Sequence, residues 1–202
     1  MPKAGRLATA SACARLKQTE TTMLIRPLTA ADVADFSDLR LAAIDNAPSS
    51  FWPTRDEELS RSTEDMASRL RPNRYQTIFG AYQHDVLVGI AGFRREVLRQ
   101  VRHKGDIWGV YVAPEWRGQG VARALLTTII EHARQLGDVT QLKLCVNTQN
   151  LAARELYLSL GFEVFGLEPR SMLVEGVYHD EEHRVLFLDS PTPPSPSVTC
   201  NP

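Results

Sequence analysis

One segment of this chain constrains its fold more than any other, because an apolar strand pattern changes into a helical pattern across two glycines. Residues 106–112 are rich in β-branched and aromatic side chains and are followed by Pro114. From residue 122 to residue 136 apolar side chains recur at helical spacing, and Gly137 is placed to end the helix. The pattern predicts a strand, a tight turn and a long amphipathic helix, a unit typical of α/β domains.

The rest of the core alternates between strand and helix patterns. Thr29 is placed to cap a first helix, and a capping box at Thr54 and Glu57 predicts a second helix that runs to about Leu70. A further helix is expected over residues 150–160. The remaining strands are expected at residues 23–26, 76–82, 86–97, 141–146, 162–167 and 182–188. This order predicts an α/β (α+β) fold with at least one strand–helix–strand crossover.

Length and composition indicate one domain of residues 23–189 between two tails expected to be disordered. The 202 residues carry a formal net charge of −1, whereas a nucleic-acid-binding domain is expected to be strongly basic, so no nucleic-acid partner is expected. Residues 1–22 are basic, which suits a disordered extension, a start codon assigned too early or an organellar transit peptide, and we favour the first two. Residues 190–202 form a Pro/Ser-rich tail. No apolar run is long enough for a membrane span, so no membrane partner is expected.

The cysteines are too widely separated to suggest a metal site or a disulfide framework. Cys13, Cys145 and Cys200 form no C-x-x-C pair and have no histidine at ligand spacing. We therefore expect a reducing, cytoplasmic environment and no metal. Cys145 is interpreted as a small buried hydrophobic residue on its strand, because no histidine is adjacent in sequence to support a covalent route.

The glycine-rich turn itself predicts an anion site. Gly118 and Gly120 allow a tight turn at the start of the helix, where free N–H groups and the helix dipole favour phosphate. No lysine followed by serine or threonine comes after the second glycine, which excludes a Walker P-loop. Arg123 stands where a dinucleotide fingerprint needs a small residue. Taken alone, the turn fits a phosphate site or an ordinary strand–helix connection.

Two motifs together resemble a known family. Residues 117–122 match the Arg/Gln-x-x-Gly-x-Gly/Ala signature of the GNAT superfamily of N-acetyltransferases, and residues 150–162 resemble that family's later Asn-x-x-Ala-x-x-Leu-Tyr-x-x-x-Gly-Phe motif. The resemblance covers roughly residues 24–188. It implies a mixed, twisted, mostly antiparallel sheet of six to seven strands flanked by about four helices, with acetyl-CoA as co-substrate.

The resemblance also implies roles for individual residues. Backbone N–H groups of the turn would hold the CoA pyrophosphate, the preceding strand would bond the pantetheine, and a strand N–H near Val110 or Tyr111 would stabilise the oxyanion. Tyr157 would protonate the departing CoA thiolate, although a half-buried core tyrosine fits the same pattern. Asn150 would contact the cofactor or cap its helix. The cofactor-binding residues expected in full are Val110, Tyr111, Val112, Arg117, Gly118, Gln119, Gly120, Val121, Ala122, Arg123 and Asn150.

The general base and the acceptor remain open at this level. Some relatives place a glutamate on the strand before the second motif, where this chain has Leu144, Cys145 and Val146. The candidates left are Glu57, Glu58, Asp106, Glu175, Asp180 and His179, and each of them fits a solvated surface group better than it fits the base. The acceptor region of the family corresponds here to two groups of aromatic and acidic residues, which would suit a cationic amine or simply anchor loops: Phe51, Trp52, Glu57 and Glu58, and Tyr178, His179, Asp180 and Glu181.

The prediction from sequence is an N-acetyltransferase that passes an acetyl group from acetyl-CoA to a primary amine of a small molecule or protein by direct attack. The alternative is a non-catalytic acyl-CoA-binding module, which would keep the turn and lose the chemistry. The length of the acyl chain and the oligomeric state, a homodimer being one option, are left open.

Overall fold

A computed structural model describes residues 23–188, so the predictions made for residues 1–22 and 190–202 lie outside the described part. The strands are β1 (Leu24–Pro27), β2 (Gln76–Gln83), β3 (Val86–Arg95), β4 (Lys104–Val112), β5 (Gln141–Asn147), β6 (Glu163–Val174) and β7 (Val177–Phe187). The α-helices are α1 (Val33–Asn46), α2 (Arg55–Leu59), α3 (Thr63–Arg69), α4 (Val121–Gln135) and α5 (Leu151–Ser159).

All seven strands belong to one sheet in the order β1-β2-β3-β4-β5-β7-β6. Only the β4–β5 pair is parallel, and α4 provides the crossover between these two strands. The mixed, mostly antiparallel sheet predicted from the sequence is therefore confirmed. The parallel pairing is also the shortest in the sheet, because on β4 only the residues from Lys104 to Asp106 take part in it.

Helices cover both faces of the sheet and create two cores. The apolar stripe of α4, with Leu125, Leu126 and Ile129 fully buried, packs with Leu142 and Phe162 on one face. On the other face α1 and α3 pack against alternate residues of β2 and β3, the usual consequence of side chains that point to opposite sides along a strand. The predicted amphipathic pattern of residues 122–136 thus forms the larger of the two cores.

The strands β4 and β5 pair at their first residues only and then separate. Their register runs from Lys104 opposite Gln141 to Asp106 opposite Lys143, and β5 continues along β7 instead. A β-bulge adds to the separation, because Gly109 and Val110 together face one residue of β3. The result is a wedge-shaped opening in the middle of the sheet.

Three predicted elements, one helix and the last two strands, differ clearly in extent from the structure. The single helix expected from Thr54 to Leu70 is two short helices, because the Ser62 side chain accepts a hydrogen bond from the Asp65 N–H and starts a new helix. The last two strands are longer than predicted. A two-residue turn with positive φ at Glu175 and Gly176 joins them into a hairpin, and the sequence pattern does not reveal this turn chemistry.

Candidate active site

A cleft of about 490 Å³ opens where β4 and β5 separate. Its wall contains nearly every residue singled out from the sequence: Val110, Tyr111, Val112, Arg117, Gly118, Gly120, Val121, Ala122, Arg123, Asn150 and Tyr157. Gln119 lies outside the lining, although it belongs to the same turn. The structure therefore brings the two sequence motifs to one place, across the opening of the sheet.

The glycine-rich turn has the backbone conformation that its sequence predicts. Gly118 and Gly120 have φ of 75° and 81°, in the left-handed region that favours glycine. The first backbone hydrogen bond of α4 joins the Ala124 N–H to the Gly120 carbonyl at 3.0 Å. The N–H groups before Ala124 therefore have no intrahelical partner and lie at the positive end of the helix dipole. The turn is built to receive an anion on its backbone.

Polar side chains around the turn hold its shape. The Arg117 Nε donates to the Val112 carbonyl at 2.9 Å, and the Gln119 Nε2 donates to the Glu115 carbonyl at 3.1 Å. The Arg123 guanidinium donates to the Ser159 hydroxyl at 2.7 Å and so ties α4 to α5. The arginine and glutamine side chains thus brace the turn, and anion recognition falls mainly to its backbone.

The bulge in β4 supplies a further backbone donor on the cleft. Gly109 has a φ of 62°, and a Cβ at this position would lie 3.1 Å from the Arg40 Nη1. A residue in this conformation turns the next peptide out of the regular ladder. The N–H near Val110, which the sequence resemblance marks as the oxyanion donor, therefore belongs to the irregular part of the strand and borders the cleft.

Tyr157 lies on α5 and reaches the cleft from the larger core. The side chain is only 6% exposed and packs edge-on against Phe162, with ring centroids 5.9 Å apart. Burial raises the pKa of the phenol to about 12, and the charge of Arg184 opposes the rise. The group therefore keeps its proton at neutral pH. A phenol that stays protonated over the neutral range is available as a proton donor to a group in the cleft.

Two asparagines fix the end of β5 beside the cleft. The Asn150 side chain accepts a hydrogen bond from the Ala153 N–H at 3.2 Å, so it caps α5 while it lines the cleft. Asn147 is a residue that sequence reasoning missed. Its buried amide donates to the Ser49 carbonyl at 3.0 Å and joins β5 to the loop after α1. Only the folded chain brings these two segments into contact.

Two of the acids expected to face the acceptor, Glu57 and Glu58, have structural partners instead. Glu57 accepts from the Thr54 N–H at 2.7 Å, and these cap hydrogen bonds lower the pKa of its carboxyl. Glu58 was expected at the surface, and this expectation is wrong. Its side chain is 2% exposed and lies within 3.5 Å of the arginines Arg40, Arg61 and Arg69. Neither glutamate lines the cleft.

The other proposed bases also lie outside the cleft lining. Asp106 pairs with Lys143 at 3.2 Å, and Asp180 accepts from the Arg170 N–H at 2.8 Å. Glu175 occupies the hairpin turn, and His179 has a buried Nδ1 without a hydrogen-bond partner among the described residues. None of the candidate bases named from the sequence therefore lines the cleft, because the sequence alone does not show which acids face inward.

Glu181 is the acid that lines the cleft. It lies on β7 opposite Asn147, its residue is 5% exposed, and one carboxylate oxygen accepts from the Ser171 hydroxyl at 2.6 Å. Phe51 and Trp108 line the same cleft, whereas Trp52 is 75% exposed. The sequence analysis placed Glu181 in the acceptor region but did not include it among the candidate bases, and the predicted strand began one residue after it.

Cys145 is not the buried hydrophobic residue that the sequence suggested. Its side chain is exposed and lines the cleft, and its Sγ lies 3.2 Å from the Nδ1 of His183 on β7. The neighbouring histidine could not be seen in the sequence, because 38 residues separate it from the cysteine.

The comparison with known proteins identifies the family that this fold and cleft define. Residues 41–162, more than half of the chain, match the Acetyltransferase (GNAT) family, and the chain belongs to it. The family assignment from the two sequence motifs is therefore confirmed.

Individual relatives agree with this assignment. The chain is 37% identical over 97 residues to the N-alpha-acetyltransferase RimI of Mycobacterium tuberculosis, which covers 48% of this chain and 58% of the relative. It is 33% identical over 150 residues to an uncharacterized protein of Mycobacterium leprae, covering 73% of this chain and 36% of the relative. The chain thus spans between about a third and somewhat over half of these two curated relatives.

The fold is also found among solved structures. A Salmonella typhimurium structure, described as an acetyltransferase with its cofactor acetyl-CoA, superposes with a TM-score of 0.72 and 24% identity, covering 87% of this chain and 99% of that one. At this identity the likeness establishes the fold alone.

Residues 23–188 contain neither a metal cluster nor a membrane-spanning helix. The described histidines, cysteines and acids form no group of three that could hold a metal ion. None of the described helices combines the length and the apolar character that a bilayer crossing requires.

Proposed function

We propose that this chain is an acetyl-CoA-dependent N-acetyltransferase that transfers the acetyl group directly to a primary amine of a small molecule or protein. The observation that carries the proposal is one cleft lined by both the positive-φ glycine turn and the buried Tyr157. A cofactor site and a proton donor share this cavity, as acyl transfer from a thioester requires.

Binding would start at the turn. The pyrophosphate of acetyl-CoA is placed on the free N–H groups of residues 118–123, and the pantetheine follows the unpaired edge of β4. The separated strands β4 and β5 leave this edge without a ladder partner, so an extended ligand can take the place of a strand. The thioester carbonyl then meets the irregular backbone near Val110.

The attacking amine needs a base, which we assign to Glu181. An alkylamine with a pKa near 10.4 is neutral in about one part in a few thousand at pH 7. Glu181 is the acid on the cleft wall, and its burial makes it a strong partner for an incoming ammonium. The aromatic rings of Phe51 and Trp108 complete an acceptor site for an amine with an apolar neighbour.

Tyr157 would end the reaction as general acid. After collapse of the tetrahedral intermediate, the phenol gives its proton to the CoA sulfur, and the released amide leaves through the acceptor end. The raised pKa of the phenol keeps the donor protonated over the whole neutral range.

The first experiment is a thermal-shift titration with acetyl-CoA, followed by a CoA-release assay across a panel of amines. Saturable stabilisation is expected, because a ligand that binds only the native state raises its stability. CoA release should depend on the amine, and Glu181→Gln should lower kcat/KM by about 10²-fold or more with acetyl-CoA binding retained. Stabilisation by CoA with no amine-dependent release from any acceptor would instead indicate the non-catalytic binding module.

A further inference from the structure

Three side chains on adjacent strands form a continuous contact chain that the proposed reaction does not use. The Cys145 Sγ on β5 lies 3.2 Å from the His183 Nδ1 on β7. The His183 Nε2 lies 2.8 Å from a carboxylate oxygen of Glu168 on β6. Cysteine, histidine and carboxylate in this order make the arrangement that activates a nucleophile in covalent catalysis.

The sheet register explains why the three groups meet. Cys145 and His183 are directly opposite in the β5–β7 pairing, so their side chains emerge on the same face. The ring of Phe165 packs edge-on against the imidazole with centroids 5.9 Å apart and holds it from the side of β6. The contact between Cys145 and His183 therefore follows from regular strand pairing, whereas Phe165 and Glu168 lie in a part of β6 where the register with β7 shifts.

The same contacts indicate which ring nitrogen of a neutral His183 imidazole carries the proton. A neutral imidazole whose Nε2–H donates to Glu168 has an unprotonated Nδ1, and this nitrogen faces the thiol. The Cys145 side chain is exposed at the cleft but partly desolvated there, and this desolvation, with added repulsion from Glu181, Glu168 and Asp106, raises the pKa of its thiol to about 11. The resting cysteine is thus a thiol, and it needs the adjacent imidazole to become a nucleophile.

The thiol lies on the wall of the cleft proposed to bind acetyl-CoA. Cys145 lies two residues beyond Lys143, the last residue of β5 paired with β4, and lines the same cleft as Val110 and Tyr157. The side chain is exposed, so a thioester lying along β4 can approach it.

We propose that, when no amine is bound, Cys145 takes the acetyl group from acetyl-CoA as a nucleophile, with His183 as base and Glu168 as the residue that positions the imidazole; this self-acetylation is separate from the direct transfer to an amine. This inference rests on the proposed binding of acetyl-CoA in the cleft. The S–H proton passes to Nδ1, the sulfur attacks the thioester carbonyl, and a new carbon–sulfur bond replaces the bond to CoA. The CoA thiolate takes the proton back from the imidazolium. One thioester replaces another, so no oxidant or further reactant is needed.

The test is to incubate the full chain with acetyl-CoA in the absence of any amine and to locate the added acetyl group by peptide mass spectrometry. We expect one acetyl group on the peptide that contains Cys145, removed by neutral hydroxylamine as a thioester is and an amide is not. Cys145→Ala should lose it. His183→Gln should form it about 10²-fold more slowly, whereas the control His179→Gln, on the same strand and away from the thiol, should match the wild type.

The positioning role of Glu168 has a readout of its own. The nitrogen chemical shifts of the His183 imidazole should report the Nε2–H tautomer in the wild type and a mixture in Glu168→Gln, with slower acetylation in that variant. An unchanged tautomer would remove Glu168 from the proposal.

Thermal shifts with CoA, run on the same proteins, separate the two proposals. Stabilisation by CoA with no acetyl group on Cys145, or with equal acetylation in His183→Gln, would overturn this inference and leave the proposed function standing. No stabilisation by CoA would overturn the proposed cofactor site and this inference together.

Discussion

The two halves of the cleft are built by different means. The half that we assign to the cofactor consists of backbone from one short segment, shaped by positive-φ glycines and by hydrogen bonds such as Arg117 to Val112. The half that we assign to the acceptor consists of side chains from distant segments. The hydrogen bond from Asn147 to Ser49, for example, joins residues 98 positions apart.

This difference fits what each half has to recognise. A pyrophosphate presents the same charge and shape to every enzyme that binds it, so a backbone turn can hold it without particular side chains. Amine acceptors vary, and side chains carried by a loop and a hairpin can change without disturbing the sheet. We therefore expect substitutions in the cofactor half to change the affinity for acetyl-CoA. Substitutions in the acceptor half should change turnover and amine preference and leave that affinity unchanged.

Tyr157 should give the largest effect on turnover. Tyr157→Phe keeps the ring in the core and removes the proton donor, so kcat should fall by about 10²- to 10⁴-fold with acetyl-CoA binding unchanged. Tyr82→Phe is the matched control, because burial also raises the pKa of Tyr82 to about 12 and its hydroxyl donates to Asp32 at 2.9 Å outside the cleft. The control should lose about 1 kcal/mol of stability and no turnover. Full activity in Tyr157→Phe would remove the phenol from the mechanism.

Gly120 should give the largest effect on cofactor affinity. Gly120→Val forces a β-branched residue into a positive φ and alters the N–H groups of the turn, so the Kd for acetyl-CoA should rise by roughly 100-fold, about 2.7 kcal/mol. Gly137→Val at the other end of α4 is a close control, since Gly137 has a φ of 75° and open space around it. Both variants should lose similar stability, measured by urea unfolding. Equal loss of affinity in both would mean that the fold, and not the turn, sets binding.

Glu58 should affect stability without affecting the cofactor half. Glu58→Ala leaves Arg40 buried without its partner, so the free energy of unfolding should fall by about 3–5 kcal/mol. Glu57→Ala, one residue earlier and on the surface, should cost far less. After correction for the fraction of each variant that is unfolded, the Kd for acetyl-CoA should be the same in Glu58→Ala and Glu57→Ala. A selective change in amine preference in Glu58→Ala would show that the arginine cluster reaches the acceptor.

Asp32 should give the smallest effect and a dependence on pH. The Arg26 guanidinium holds the pKa of the Asp32 carboxyl well below its usual range, against the opposing effect of burial. A depressed native pKa stabilises the fold above the unfolded pKa near 3.9 and loses that contribution as the pH falls. Asp32→Asn should therefore lower stability by about 1–3 kcal/mol at pH 7, and the difference from wild type should shrink below pH 4. A constant difference from pH 7 to pH 3 would contradict the ion-pair explanation.

The sequence by itself determined the family, the fold class and most of the cofactor half. Gly118 and Gly120 require a particular backbone conformation wherever they occur, and the apolar spacing of residues 122–136 produces the same helix face in any tertiary setting. Local patterns of this kind can be read directly, because the chemistry that creates them acts within a few residues.

Only the tertiary structure decided which groups share the acceptor half. Glu181 and Glu58 are both acids beside aromatic residues in the sequence, yet one lines the cleft and the other is buried among arginines. The contact between Cys145 and His183 likewise depends on the pairing of β5 with β7. Strand order and register arise from contacts between residues far apart in the chain, and a single sequence carries no local signal for them.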